Sequence, residues 1–166
     1  AMINERLPWA TFAIFTNLNV VSSSFISDLS RIKNINSFNI SFNAANEREY
    51  EYTMRIDFQR TVENVRNLMR ANQEKPFLNN PITLSRVASL SDADGYYIDE
   101  CKTVFSDYSF GIDFSARIKN RTNWLGNLTN EQSVIPKEMP CNAWFDLNIF
   151  CTGEVPHCCM DANGQY

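Results

Sequence analysis

Between Ser37 and Phe58 the apolar residues recur at every second position. Phe38, Ile40 and Phe42 alternate with Ser37, Asn39 and Ser41. Tyr50, Tyr52, Met54, Ile56 and Phe58 then alternate with Glu49, Glu51, Thr53, Arg55 and Asp57. A side-chain period of two is that of a strand with one buried face. The polar stretch "NAANE" between the runs predicts an antiparallel hairpin. From Val62 the spacing changes to three and four. Val62, Val65, Leu68 and Met69 form one stripe opposite Asn64, Arg66, Asn67 and Arg70, which predicts an amphipathic helix. Thr61 is placed to cap it, Glu63 lies in its first turn, and "KPFLNNP" ends it.

The remaining pattern is weaker. In "ERLPWATFAIFTNL", residues 5 to 18, Pro8 suits a first helical turn, and Trp9, Phe12, Ala13 and Leu18 give a short amphipathic helix. Residues 25 to 32 fit a strand or a helical turn equally. Ile82 and Leu84, with Ala88 and Leu90, predict a third strand, "SDADG" a turn, and 96 to 103 a polar connection holding Cys101. Val104, Tyr108, Phe110, Ile112, Phe114, Ala116 and Ile118 share one parity and predict a long fourth strand. On its other face lie Phe105, Asp107, Asp113, Arg117 and Lys119. The expected order is helix, two strands, helix, two strands. Over residues 5 to 119 this is a two-layer α+β sandwich, the ferredoxin-like αββαββ arrangement on an antiparallel sheet. Residues 120 to 166 show no periodicity and form a cysteine-rich C-terminal extension. Trp144, Phe145, Leu147, Ile149 and Phe150 argue for a disulfide-held lobe packed on the sheet or on a partner.

Composition adds a compartment and several exclusions. With 44% apolar and 20% charged residues the chain has the makeup of a globular protein. A net charge of −4 and no basic cluster longer than a pair argue against nucleic acid as a partner. No run of about 20 apolar residues spans a bilayer. The Ala-Met opening before Asn4, Glu5 and Arg6 has the look of a trimmed N-terminus, so a signal peptide or membrane anchor is expected upstream.

The five cysteines are Cys101, Cys141, Cys151, Cys158 and Cys159. A zinc site would draw on these thiols and His157, but no C-x-x-C is present, and neighbouring Cys158 and Cys159 fit one tetrahedral ion poorly. Disulfides in an oxidising compartment are favoured. Two pairings remain open. Cys141 can bond Cys151 around "NAWFDLNIF" while Cys101 bonds one of the vicinal pair. Alternatively Cys141 and Cys151 each bond one of Cys158 and Cys159, leaving Cys101 free.

No motif for bond chemistry emerges. Nucleophile elbow, phosphate loop, dinucleotide fingerprint and H-E-x-x-H are all missing, and no cofactor is implied. His157 reads as a surface histidine beside a cysteine staple rather than a base. Glu49 and Glu51 read as the solvated face of a strand, Asp92 and Asp94 as a plain turn, and Tyr50, Tyr52, Phe38 and Phe42 as core. Asn39, Asn120 and Asn127 head sequons in an Asn-rich chain and carry little weight.

From "RLPWATFAIFTNL" through "RTVENVRNLMRANQEKPFLNNPITLSRV" to "YSFGIDFSARI", the chain resembles the periplasmic domains of the bacterial type IV pilus platform proteins PilN and PilO. The type II secretion proteins GspL and GspM look similar. The resemblance covers residues 5 to 119 and rests on element order and hydrophobic pattern. The cysteine-rich extension and a longer hairpin over 37 to 58 depart from it. It implies a non-enzymatic periplasmic module of an inner-membrane protein, anchored by a single upstream transmembrane helix. Such a module would pair as a homodimer or with a sister platform protein, and would touch pilin subunits or a secretin-linked lipoprotein. Two other expectations stand beside it: a minor pilin or secreted adhesin-like subunit working through its C-terminal disulfide loop, and a thiol- or metal-binding domain.

Overall fold

The β-branched and aromatic run "FAIFT" forms a strand, not the middle of a helix, and the whole topology follows from strands of this kind. The structure, a computed structural model, describes residues 2–6, 8–89 and 91–120, all within one unit spanning residues 1–120. A short helix α1 (Met2–Arg6) precedes strand β1 (Phe12–Thr16). Helix α2 (Phe25–Leu29), strand β2 (Ile35–Ser41), helix α3 (Glu47–Met54) and helix α4 (Phe58–Glu74) follow. Strand β3 (Ile82–Val87), helix α5 (Ala93–Val104) and strand β4 (Phe114–Lys119) complete the unit.

The sheet order is β1-β2-β3-β4 and every pair is parallel. The antiparallel ferredoxin-like sandwich expected from the pattern is therefore overturned in favour of an α/β fold. Parallel neighbours need a crossover rather than a hairpin, and each crossover here carries helix: α2 before β2, α3 and α4 before β3, α5 before β4.

Three further expectations change with it. The second half of the supposed hairpin is α3. Tyr50, Met54 and Phe58 lie four apart, a spacing that satisfies a strand face and a helix face alike. The start of α3 decides between them. The Asn46 side chain accepts the Glu49 N–H at 2.9 Å, and Glu47 and Glu49 occupy the first turn. Tyr52, expected in the core, is 76% exposed. The polar connection over 96 to 103 is α5, whose buried Tyr97 and Cys101 are one turn apart. The long fourth strand shrinks to Phe114–Lys119, because the chain turns at Gly111 with φ +86°, a left-handed conformation that glycine tolerates. Helix α4 keeps its expected stripe of Val62, Val65, Leu68 and Met69. It starts four residues early, at Phe58, with the Asp57 side chain accepting the Arg60 N–H at 2.7 Å as its cap in place of Thr61.

Consecutive parallel strands added in one direction, through crossovers of one hand, leave all crossover helices on one side of the sheet. The burial pattern agrees. Phe38, Ile40, Ile82, Leu84 and Phe114 are sealed in one core with Leu29 of α2, Tyr50 of α3, Val65 and Leu68 of α4 and Tyr97 of α5. Phe42 is its hub, with ring centroids 5.2 Å from Tyr50, 5.8 Å from Phe58 and 5.7 Å from Phe105. Alternate strand positions point the other way, where Phe15 is 67% exposed.

Candidate functional site: the helix-free face of the sheet

Parallel α/β sheets usually bind ligands beyond the carboxyl ends of their strands, where the strand order reverses. The order here runs without reversal, and the polar groups at that end are occupied with one another. Arg86, near the end of β3, is 2% exposed. Its guanidinium donates to Asp94 from Nε at 2.7 Å, to Glu49 and Ser89 from Nη2 at 2.7 and 3.0 Å, and to the Asn43 carbonyl from Nη1. Burial works against this charge, but the two carboxylates outweigh it and keep the guanidinium charged. The hub ties β3 to α3, α5 and the end of β2. Nearby, Asn19 Nδ2 donates to Thr61 Oγ1 at 2.9 Å, Tyr50 donates to the same oxygen at 3.1 Å, and the Thr61 hydroxyl donates to the Asp57 carbonyl at 3.1 Å. Both networks are internal fastenings.

Residues considered at the sequence level fall as follows. Glu49, expected on a solvated strand face, and Asp94, expected in a plain turn, are the two acids of the Arg86 hub. Phe38, Phe42 and Tyr50 are core. Cys101 is a buried free thiol, its pKa pushed up to about 12 chiefly by burial. The Tyr97 hydroxyl one turn away is buried without an oxygen or nitrogen partner among the described residues. Cys141, Cys151, His157, Cys158 and Cys159 lie outside the described residues. Among the described residues no cluster of three or more His, Cys, Asp or Glu could hold a metal, and no helix is long and apolar enough to cross a membrane.

The opposite face of the sheet is different. Among the described residues no helix covers it, and beside Phe15 and Val87 its side chains are largely hydroxyls, amides and cations. Thr83 and Ser115, paired in register on β3 and β4, bring their hydroxyls to 3.3 Å. Arg117 crosses β3 to donate from Nη2 to Asn39 Oδ1 on β2 at 2.6 Å, with Nε 3.4 Å from Ser85 Oγ on the way. Asn39 in turn donates to Ser37. Lys119 on β4 places its ammonium 5.4 Å from the ring centroid of Phe15 on β1. Strands lie about 4.8 Å apart, so β1 and β4 are separated by about 14 Å along a flat sheet. The lysine thus reaches across this face, the trough, from one edge strand to the other.

The charge in this trough is one-sided. None of the four strands contains an Asp or Glu, in a chain of net charge −4. None of the ion pairs among the described residues uses Arg117 or Lys119. Burial and the Arg117 charge hold Lys119 below the ordinary lysine value. Sequence reasoning placed Arg117 and Lys119 on a polar strand face but joined them to nothing. The signal was the alternate Ser37, Asn39 and Ser41, Thr83 and Ser85, and Ser115 and Arg117, which only parallel pairing assembles into one surface.

A second candidate is a cleft of about 580 Å³ between α2 and α4, lined by Leu18, Val21, Phe25, Ile26 and Leu68 with Arg70 and Glu74 at its edge. It gathers no convergent polar group with a perturbed pKa. No protein-family model, curated protein or solved structure matches the chain.

Proposed function

We propose that this chain is a non-enzymatic binding module that presents the helix-free trough of its parallel sheet to a partner. One observation carries the reading. All-parallel sheets are almost always covered on both faces, whereas among the described residues no helix covers one face of this sheet, and that face carries polar side chains already held in place. The Arg117–Asn39 bond at 2.6 Å and the Thr83–Ser115 contact pre-order the surface, which lowers the cost of binding.

The pilus-platform setting rested on the order helix, strand, strand, helix, strand, strand. The chain does not adopt that order, so the trough carries the proposal and the resemblance does not.

Photo-crosslinking residues placed at Ser41 and Thr83 in the trough, and at Gln73 on the exposed side of α4, test it in the native cell. Discrete adducts from Ser41 and Thr83, with none from Gln73, are expected. Adducts from Gln73 alone would overturn the reading.

A further inference from the structure

Lys119 and Arg117 converge on register neighbours: the ammonium lies over Phe15 and the guanidinium bonds Asn39, and Phe15 and Asn39 are paired across β1 and β2. Two cations thus stand side by side in a trough whose strands supply no carboxylate. Lys119 has no hydrogen-bond acceptor among the described residues, and Arg117 engages Nη2 and Nε while Nη1 has no acceptor there. Both have donors to give.

We propose that the trough binds an acidic oligosaccharide, with a sugar carboxylate held between Arg117 and Lys119 and a sugar ring stacked against Phe15. The inference rests on the binding-face reading above and names its ligand. Charge complementarity sets the sign: two unneutralised cations gain a counter-ion, and charge-assisted bonds to carboxylate are the strong ones. Phe15 is 67% exposed, so ring surface remains beyond the Lys119 ammonium as an apolar platform for the C–H face of a sugar ring. Ser37, Ser41, Thr83 and Ser115 supply short hydroxyls suited to a hydroxyl-rich ligand.

Two other occupants fit less well. An extended peptide is recognised mainly through main-chain bonds at a sheet edge, but the trough offers side chains, its backbone groups being used within the ladder. A nucleic acid needs a broader basic surface than two cations on an acidic chain.

The probe is trigalacturonate, titrated calorimetrically into the full chain. Its fully methyl-esterified form and an acidic glutamate peptide of equal charge serve as comparison ligands. Saturable binding of trigalacturonate is expected, with the ester and the peptide roughly tenfold weaker or worse. Arg117→Gln, Lys119→Gln and Phe15→Ala should each weaken it by roughly tenfold, and Lys102→Gln on the exposed side of α5 should not. Thermal unfolding of each variant shows that the fold is retained. Because all three trough residues are surface side chains, at least one folded variant keeps the test decisive.

No saturable binding, equal binding of the ester, or full affinity in the Arg117 and Lys119 variants would overturn the proposal. A peptide binding as tightly as the saccharide would replace it with an acidic-peptide site. Protein adducts at Ser41 without a saccharide response overturn this ligand and leave the binding face standing. Neither adducts nor saccharide binding removes both readings.

Discussion

Arg86 and Lys102 are both cations paired with acids, and they should behave in opposite ways. Arg86 is buried with Glu49 and Asp94, and removing it leaves two acids facing a low-dielectric site. Arg86→Met should cost about 3–5 kcal/mol, the usual penalty for breaking a buried pair from one side. Lys102 pairs with Asp99 in the open on α5, and Lys102→Met should cost under about 1 kcal/mol. Urea denaturation midpoints with unchanged slopes decide this, and equal losses would mean that the hub is not a fastening. Cys101 gives a second residue-level test. Its folded pKa of about 12 lies above its ordinary value of 9.0, so the native state holds the proton more tightly than the unfolded state. Its contribution to stability is complete below about pH 9 and declines as pH rises from 9 towards 12. Tyr97, raised for the same reason, adds a decline in the same direction above pH 10. Unfolding midpoints should therefore fall above pH 9, and less steeply in Cys101→Ala between pH 9 and 10. Parallel curves would show that another group titrates.

At the scale of elements, α4 was legible from its spacing and α3 was not. Four residues of α4 repeat at intervals that no strand can share, whereas Tyr50, Met54 and Phe58 of the α3 region fit both periods. The cap at Asn46 broke the tie, through a bond that spacing does not reveal. Helix α5 was equally ambiguous: Tyr97 and Cys101 lie four apart, again an interval that both periods allow. The α4 stripe makes a direct prediction. Leu68→Ala should cost about 2–5 kcal/mol, and Glu63→Ala, on the exposed side, only a few tenths of a kcal/mol. Chemical denaturation checks both, and comparable losses would put the helix in the wrong register.

For the molecule as a whole, the two faces of the sheet have different work. Leu84 and Thr83 are adjacent in β3 and point to opposite sides, one into the core and one into the trough. Leu84→Ala should cost about 2–5 kcal/mol. Thr83→Ala should stay within about 0.5 kcal/mol, because its hydroxyl partner Ser115 is half-exposed and water can replace the contact. Thermal unfolding of the pair reads this directly, and a large loss at Thr83 would mean that the trough is a structural interior instead of a binding surface.

The one-dimensional pattern was enough to determine the apolar stripe of α4 and the strand at Ile82 and Leu84. These depend on side-chain periodicity, which is local. The direction of the strands depended on how each connection folds. A connection read as a turn makes an antiparallel neighbour, and the same residues read as helix make a parallel one. The tertiary structure decided that question at Asn46 and again at α5. It thereby carried Asn39, Thr83, Ser85, Ser115, Arg117 and Lys119, spread over 81 positions of sequence, onto one face of the sheet. No local spacing could have joined them, because what brings them together is the register of three strands separated by three helices.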